Sequence, residues 1–387
     1  MEKYQWIRNV FTADEFDAPF ILDADSAYFP TLKDKLRHIN DSLEENKAPV
    51  PVCSEVREIT DDLISAMDYY YRGEIGEAQD RIYHTIKRVK KMPLAVSKIE
   101  DSISFIGPWH RFEDYRKSES IARLFHARLS PKVVNYTRSD MMHIPFDRRD
   151  LMQPQRFSLS GLPCYYLAST SYCCWIEMDR PNESEFNVSA VRPRQPFKIF
   201  NLGVSGMTLE AAANLIEEQR CHTYHGDPDQ TLLSLACLRV LAIATSFRVK
   251  RYVPYVPFKS EYILSQLIML AVKRLDLSGV AYFSKRLNSD SDAFPVCVNL
   301  ALFAPYQGEE KESSICKTLE ISEPVNYAEY KQMGVQEREM ELERRNIPEI
   351  YLASKNVFYP RTYFHALDCY LQQSLDKEPQ PSKRNRR

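Results

Sequence analysis

Glycine is scarce in this chain, with only 10 residues among 387. Neither GxGxxG nor GxxxxGK[ST] occurs, which argues against the common glycine-rich loops that bind nucleotide phosphates. The formal net charge of −2 gives no overall field that would attract nucleic acid or an anionic membrane. We therefore expect no specific nucleic-acid binding.

Paired cysteine motifs are absent as well. The nine cysteines are irregularly spaced and none forms a CxxC pair. The N-terminal stretch MEKYQWIRNVFTADEF has no apolar signal core. Reduced thiols in a cytosol explain both features, so the sequence predicts a cytoplasmic protein.

Long apolar runs are also lacking. The most apolar segment, LLSLACLRVLAIATSF at 232–247, is short for a membrane span and contains Arg239. The sequence therefore predicts a buried helix at 232–247 and no membrane partner.

Helical periodicity begins near residue 31. In TLKDKLRHINDSLEEN the apolar residues recur every three or four positions, and similar patterns follow at 55–73 and 74–92. The two prolines of KAPVPVCS, at 47–54, predict a loop between the first two helices. We predict an all-helical N-terminal domain over 1–110.

From about residue 120 the hydrophobic pattern of the sequence changes to short apolar runs separated by turns. ARLFHARLS, PCYYLAST, FKIFNLGV, GVAYFSK and VCVNLALFA predict strands, with helices between them. This mixture predicts an α+β fold with a domain over 111–310. We predict that 311–375 forms an extension packing on the core, with a charged helix at 337–346, and that 376–387 is a disordered basic tail.

Three kinds of chemistry were weighed against simpler interpretations. The segment RCHTYHGDPDQ at 220–230 has metal-binding residue types but no second Cys/His pair, so a polar loop explains it better. Cys173 and Cys174 lie among apolar residues, which favours buried thiols over nucleophiles. Arg81 and His84 are too close in sequence for the Arg–His spacing of helical ribonucleases.

The segment RFSLSGLPCYYLASTSYCCWIEM, residues 156–178, carries one cation and one carboxylate, at or near its two ends. Gly161 and Pro163 predict a turn, Tyr165 to Ala168 a strand, and the Ser-Thr-Ser run at 169–171 a cap for a helix that contains Glu177. A carboxylate with such apolar neighbours is either a salt-bridge partner or a functional group.

These residues resemble the RES-domain family. The matching motifs are Arg156-Phe157-Ser158 with Gly161, Tyr166-Leu167-Ala168 and Glu177; upstream Phe125-His126-Ala127-Arg128, where His126 replaces an arginine; and downstream Ser265-Gln266, Gly279 to Ser284 and Asn299 to Phe303. The resemblance covers about 120–305, near half of the chain.

The resemblance implies an NAD-binding catalytic domain with a mixed-sheet core similar to that of ADP-ribosyltransferases. Family members are toxins that break the nicotinamide–ribose bond of NAD+, without a metal, and many are inhibited by a cognate antitoxin. We therefore expect NAD+ as substrate, with an antitoxin or regulatory partner contacting the helical domain 1–110. Self-association as a homodimer stays open.

Within the resemblance, each site residue has an implied role. Glu177 would stabilise an oxocarbenium-like state, Tyr166 would stack on nicotinamide, and Ser284 would bond the ribose or the amide. Arg156 and, secondarily, Arg128 would hold phosphate. Two simpler interpretations stay open: Arg156 pairs with Glu177 across a turn, and Ser284 caps a strand end.

Three functions remain compatible with these residues. The first is an NAD+ glycohydrolase or phosphorylase acting as a toxin, and the second is a mono-ADP-ribosyltransferase acting on a protein. The third is a catalytically inactive RES-like interaction module.

Overall fold

The computed structural model describes residues 3–112, 123–130, 136–218, 226–251, 258–290, 292–308, 311–333, 349–352 and 355–377. The helices in these ranges are α1 (Gln5–Phe11), α2 (Tyr28–Glu45), α3 (Val50–Tyr71), α4 (Ile75–Val89), α5 (Ile103–Phe112), α6 (Ser171–Glu177), α7 (Gly206–Glu217), α8 (Pro228–Ala244), α9 (Ile263–Arg274), α10 (Tyr327–Gln332) and α11 (Tyr363–Lys377). The strands are β1 (Phe20–Leu22), β2 (Val96–Lys98), β3 (Leu124–Leu129), β4 (Cys164–Ala168), β5 (Phe186–Pro193), β6 (Lys198–Asn201), β7 (Phe247–Val249), β8 (Gly279–Phe283), β9 (Val298–Phe303), β10 (Leu319–Ile321), β11 (Val325–Asn326), β12 (Glu349–Leu352) and β13 (Lys355–Phe358).

A mixed sheet of nine strands forms the centre of the fold. Its order is β10-β5-β3-β4-β9-β8-β6-β2, and β11 also pairs with β5. Every pairing is antiparallel except that of β6 with β8. The predicted α+β class with a mixed sheet is therefore confirmed, whereas the likeness to ADP-ribosyltransferases stays a prediction.

Alternate residues of the central strands face different cores. Tyr165 and Leu167 of β4 pack with Leu300 and Leu302 of β9 on one face of the sheet. Tyr166, which lies between Tyr165 and Leu167 in the sequence, packs instead against the core on the other face. This period of two decides which side chains can share a site.

The N-terminal helices bury the apolar stripes that the sequence predicts. Leu32, Leu36, Ile39 and Leu43 of α2 are fully buried. These helices share one core with α7, α8 and α9 of the later segment. The segment 1–110 also supplies β1, which pairs with β7, and β2, which pairs with β6. The boundary near residue 110 stays a prediction.

The loop predicted at 47–54 is wrong in part. Helix α3 begins at Val50, with Pro49 as its N-cap and Pro51 in its first turn. The first amides of a helix have no intrahelical acceptor, so proline is tolerated there. Prolines at a helix start therefore looked like a loop in the sequence.

The apolar run at 232–247 forms α8 and is buried as predicted, but the helix ends at Ala244 and Phe247 begins β7. In the part of the chain that the structure describes, no helix is long and apolar enough to cross a bilayer.

Two helices at the ends of the chain were missed. Helix α1 lacks a clear period in the sequence, and α11 lies in a segment whose apolar residues are mixed with polar ones. Phe364, Leu367 and Leu371 of α11 are nevertheless buried against the rest of the fold. The charged helix predicted at 337–346 and residues 378–387 of the predicted tail lie outside the described residues, whereas residues 376 and 377 belong to α11.

Candidate functional site

Helix α6 carries Glu177 as its last residue. Its start is capped as predicted, because the Thr170 hydroxyl accepts a hydrogen bond from the Cys173 amide at 2.9 Å. The Glu177 carboxylate is half-buried, and its Oε1 accepts a hydrogen bond from Asn299 Nδ2 at 2.7 Å. Among the described residues nothing donates to Oε2. One carboxylate oxygen is thus fixed by the protein while the other stays available.

Asn299 lies in the middle of a polar patch on one face of the sheet. It is paired with Ala168 of β4 on one side and with Tyr282 of β8 on the other. Tyr166 is two residues before Ala168, and directly paired residues of antiparallel strands share a face. The register therefore places Tyr166, Asn299 and Tyr282 on the face above which Glu177 is held.

Arg156 is buried, with 7% of its surface exposed, and lies against this patch. Its Cζ is 4.7 Å from the centre of the Tyr282 ring. Its Nη1 donates to the Phe283 carbonyl at 2.8 Å, Nε to the Thr245 carbonyl at 3.1 Å, and Nη2 to the Ser246 hydroxyl at 3.2 Å. The guanidinium thus joins the end of β8 to the connection between α8 and β7.

No ion pair joins Arg156 to Glu177 in the described residues, so the simple turn-spanning salt bridge is not formed. The two charges nevertheless interact. Burial lowers the pKa of Arg156, and the nearby Tyr282 and Glu177 oppose that shift. Because the acceptors of Arg156 are neutral oxygens, its charge contributes a positive field to the patch.

Lys285 and Tyr262 lie next to the same patch. The Lys285 ammonium donates to the Phe247 carbonyl at 2.7 Å and is 4.4 Å from the centre of the Tyr262 ring. Burial lowers the pKa of Lys285 well below its usual range, and the charge of Arg156 adds to this effect. The carboxylates of Glu261 and Glu177 act in the opposite direction. Lys285 therefore belongs to the electrostatic environment of Glu177.

The hydroxyl of Tyr166 is committed to the protein. It donates to Ser158 Oγ at 3.0 Å and accepts from the Phe157 amide at 3.2 Å. The side chain also borders a cavity of about 170 Å³, whose lining includes Gln155, Ser158 and Cys164. The ring is therefore held in place next to the residues that follow Arg156, on the other side of the turn predicted at Gly161 and Pro163.

Ser284 directly follows β8 and is buried. Its hydroxyl oxygen accepts a hydrogen bond from the Arg286 amide at 3.2 Å, and its own amide donates to the Cys297 carbonyl. This geometry is that of a strand-end cap. Ser284 lies beside the patch through its neighbour Phe283, whose carbonyl binds Arg156.

Arg128 is not brought to this patch. On β3, Phe125 and Ala127 pack into the core beside α6, whereas His126 and Arg128 point to the opposite face. Arg128 Nη2 donates to the Met142 carbonyl at 2.7 Å, and the His126 ring packs 4.8 Å from that of Tyr165. The sheet thus separates Arg128 from Glu177, which argues against its predicted role beside the other site residues.

His126 is neutral at this position. Burial lowers the pKa of His126 to about 4, and its Nδ1 lies 2.8 Å from the Tyr166 carbonyl. A neutral ring can donate that proton, so His126 braces β4 rather than supplying the charge of the arginine that the family pattern has here.

Three residues of the patch received no role from the sequence. Asn299 and Tyr282 belong to motifs that carry the resemblance, and a polar Asn inside the apolar strand VNLALF was the signal available. Lys285 had no signal, because its proximity to Glu177 depends on a contact with β7.

The alternative sites gain no support. Cys173 and Cys174 are buried, and burial raises the pKa of each thiol well above its usual range. Residues 220–225 of the metal candidate lie outside the described residues, and the described ones contain no group of three or more metal-ligating side chains. Arg81 pairs with Asp62 at 3.3 Å.

The fold and the site together define an α+β protein with a carboxylate held among tyrosine, asparagine and arginine on one face of a mixed sheet. The protein named "Putative toxin YopC" of Bacillus subtilis (strain 168) is 29% identical to this chain over 255 residues. The match covers 62% of this chain and 51% of that protein, so the chain spans about half the length of this curated relative. No family model and no solved structure matches the chain.

Proposed function

We propose that this protein is a toxin that cleaves the nicotinamide–ribose bond of NAD+. The observation that carries the proposal is the convergence on one face of the sheet of residues from α6, β4, β8, β9 and the segment before β4. They are Glu177, Tyr166, Tyr282, Asn299 and Arg156. The toxin part is also supported by the similarity to a protein named as a toxin.

The chemistry fits the placement of Glu177. Breaking the bond between ribose and nicotinamide develops positive charge on the ribose, as glycoside hydrolysis does. A carboxylate with one oxygen fixed by Asn299 and the other available can stabilise that cation without reorganising. Nicotinamide is a good leaving group, so a strong general acid is not required.

The contacts of Arg156 support a role other than the phosphate contact implied by the resemblance. Three of its N–H groups already donate to protein oxygens. We therefore assign Arg156 to holding β8 and Tyr282 in position.

The test is to incubate the purified full chain with NAD+ and separate the products. We expect free nicotinamide together with ADP-ribose, or with phosphorylated ADP-ribose if phosphate is the acceptor. Nicotinamide together with ADP-ribosylated protein would instead assign ADP-ribosyl transfer. Glu177→Gln should lower nicotinamide release by roughly 100-fold or more, because the neutral amide cannot stabilise the cation.

The control for this variant is Asp179→Asn, two residues further along and paired with Arg286 at the surface. It should leave the rate unchanged. Glu177→Gln should also keep its free energy of unfolding within about 1 kcal/mol of the wild type, since Gln retains the acceptor for Asn299. If the wild type releases no nicotinamide, the proposed function is wrong.

A further inference from the structure

Helix α6 has only seven residues, which is too short to be stable by itself. The position of Glu177 at its C-terminal end must therefore come from tertiary contacts. One side of α6 contacts β3 and β4 of the sheet, and the other is covered by α11 from the C-terminal end of the described chain.

The contact between α11 and α6 is polar at the start of α6. Asp368 Oδ1 accepts a hydrogen bond from the Ser171 amide at 3.0 Å, and Oδ2 accepts one from the Tyr359 hydroxyl. The Ser171 hydroxyl donates to the Phe364 carbonyl at 3.3 Å. Ser171 is completely buried and Asp368 nearly so. Asp368 thus accepts a hydrogen bond from an amide in the first turn of α6, and this amide has no acceptor within the helix.

The contact is aromatic along the body of α6. The Phe364 ring is 5.5 Å from the rings of both Tyr172 and Trp175, and it stacks on Tyr327 at 4.6 Å. On the opposite side of α6, the Cys173 thiol donates to Asn299 Oδ1 at 3.4 Å. Asn299 therefore binds both the start and the end of α6, and α11 presses the helix onto it.

We propose that Asp368 is a positioning residue for the Glu177 carboxylate and acts through α6, so that α11 is part of the support of the site. This rests on the proposed role of Glu177. A carboxylate that must meet a developing cation tolerates little displacement, since a shift of about 1 Å can cost roughly 100-fold in rate.

The test uses the full chain with Asp368→Ala, Asp368→Asn and the control Asp376→Asn. Asp376 lies on the same helix and pairs with Arg192 at the surface. We expect Asp368→Ala to lower kcat for nicotinamide release roughly 10- to 100-fold while KM changes less than about threefold. Asp368→Asn, which keeps an acceptor for the Ser171 amide, should recover most of the rate, and Asp376→Asn should match the wild type.

A second pair of variants keeps the test decisive if Asp368→Ala does not fold. Ser171→Pro removes the amide hydrogen that Asp368 accepts at a helix position where proline is tolerated, and Ser171→Ala controls for the lost hydroxyl. We expect kcat to be lower in Ser171→Pro than in Ser171→Ala, with faster hydrogen exchange in Cys174 to Glu177.

Two outcomes separate the two proposals. An active wild type, together with folded Asp368→Ala and Ser171→Pro variants whose kcat stays within twofold of their controls, would overturn the role of Asp368 and leave the proposed function standing. An inactive wild type would overturn both.

Discussion

Two buried arginines serve this protein in different ways. Arg239 of α8 is fully buried and forms an ion pair with Asp290, and it also donates to the carbonyls of Phe16 and Val204. Arg156 is buried as well, yet among the described residues its guanidinium donates only to neutral oxygens. The charge of Arg239 is therefore balanced by Asp290, whereas the charge of Arg156 contributes a positive field to the groups around it.

The comparison separates a structural site from a candidate functional one. The Arg239–Asp290 pair ties α8 to the N-terminal segment, and the Asp290 amide also donates to the Ala18 carbonyl. At Arg156 the carboxylate that acts on the arginine's pKa is Glu177, which in the described residues is held by Asn299 instead of pairing with the arginine. A carboxylate kept close to a cation but not joined to it is what a site needs in order to receive a ligand.

The largest expected effect comes from breaking the compensated pair. Asp290→Ala removes the side-chain oxygens to which Arg239 donates, which even a protonated Asp290 keeps, and leaves the buried guanidinium without that partner. The free energy of unfolding should fall by about 3–5 kcal/mol. Chemical denaturation followed by circular dichroism measures this. As a control, Asp23→Ala removes the exposed pair with Lys250 and should cost less than about 1 kcal/mol. A similar loss in both variants would contradict the distinction.

The same pair should give a pH dependence of stability. Burial raises the pKa of Asp290 to about 6, and the adjacent Asp17 carboxyl adds to the rise while Arg239 opposes it. The folded pKa lies above that of the unfolded chain. The associated stabilisation is therefore complete below about pH 4 and is lost as pH rises through about 6, by roughly 2–3 kcal/mol.

Denaturation curves between pH 4 and 7 measure this slope in the wild type and in Asp290→Asn. The variant has no carboxyl at this position, so its slope over that range should be shallower. Equal slopes would show that Asp290 does not titrate in this window.

The smallest effects should come from the arginines on the two faces of the sheet. Arg156→Met removes three hydrogen bonds and should lower the free energy of unfolding by about 2 kcal/mol. Nicotinamide release by the folded fraction should fall as well, because Tyr282 and the end of β8 lose their support. Arg128→Met, on the opposite face, should lower stability by about 1 kcal/mol or less and leave the rate within threefold. A larger rate loss in Arg128→Met would restore the role that the resemblance implied.

Much of the local structure could be predicted from the sequence. Helical periodicity predicted the apolar stripes of α2, α3 and α4, and short apolar runs predicted the strands β3, β4, β8 and β9. The residue types at 169–171 predicted the cap at Thr170. The errors have local causes: prolines at the start of α3 resembled a loop, and α1 and α11 lacked a clean period.

The candidate site could be predicted only in part. Glu177, Tyr166 and Arg156 do share one region, but their partners Asn299 and Lys285 lie more than 100 residues from Glu177. No periodicity within β4 or α6 indicates which strand becomes its neighbour. Nothing in the sequence indicated that Arg156 is buried, because its acceptors come from the β7 and β8 regions.

The sequence alone determined where most of the helices and strands form and which residue types could carry chemistry, because those properties depend on neighbours a few positions away. The tertiary structure alone decided that Arg128 and Glu177 lie on opposite sides of a sheet, and that Arg156 donates to the backbone. The strand order β3-β4-β9-β8 and its register set those contacts. They join residues that are distant in sequence, and only packing of the whole chain brings them together.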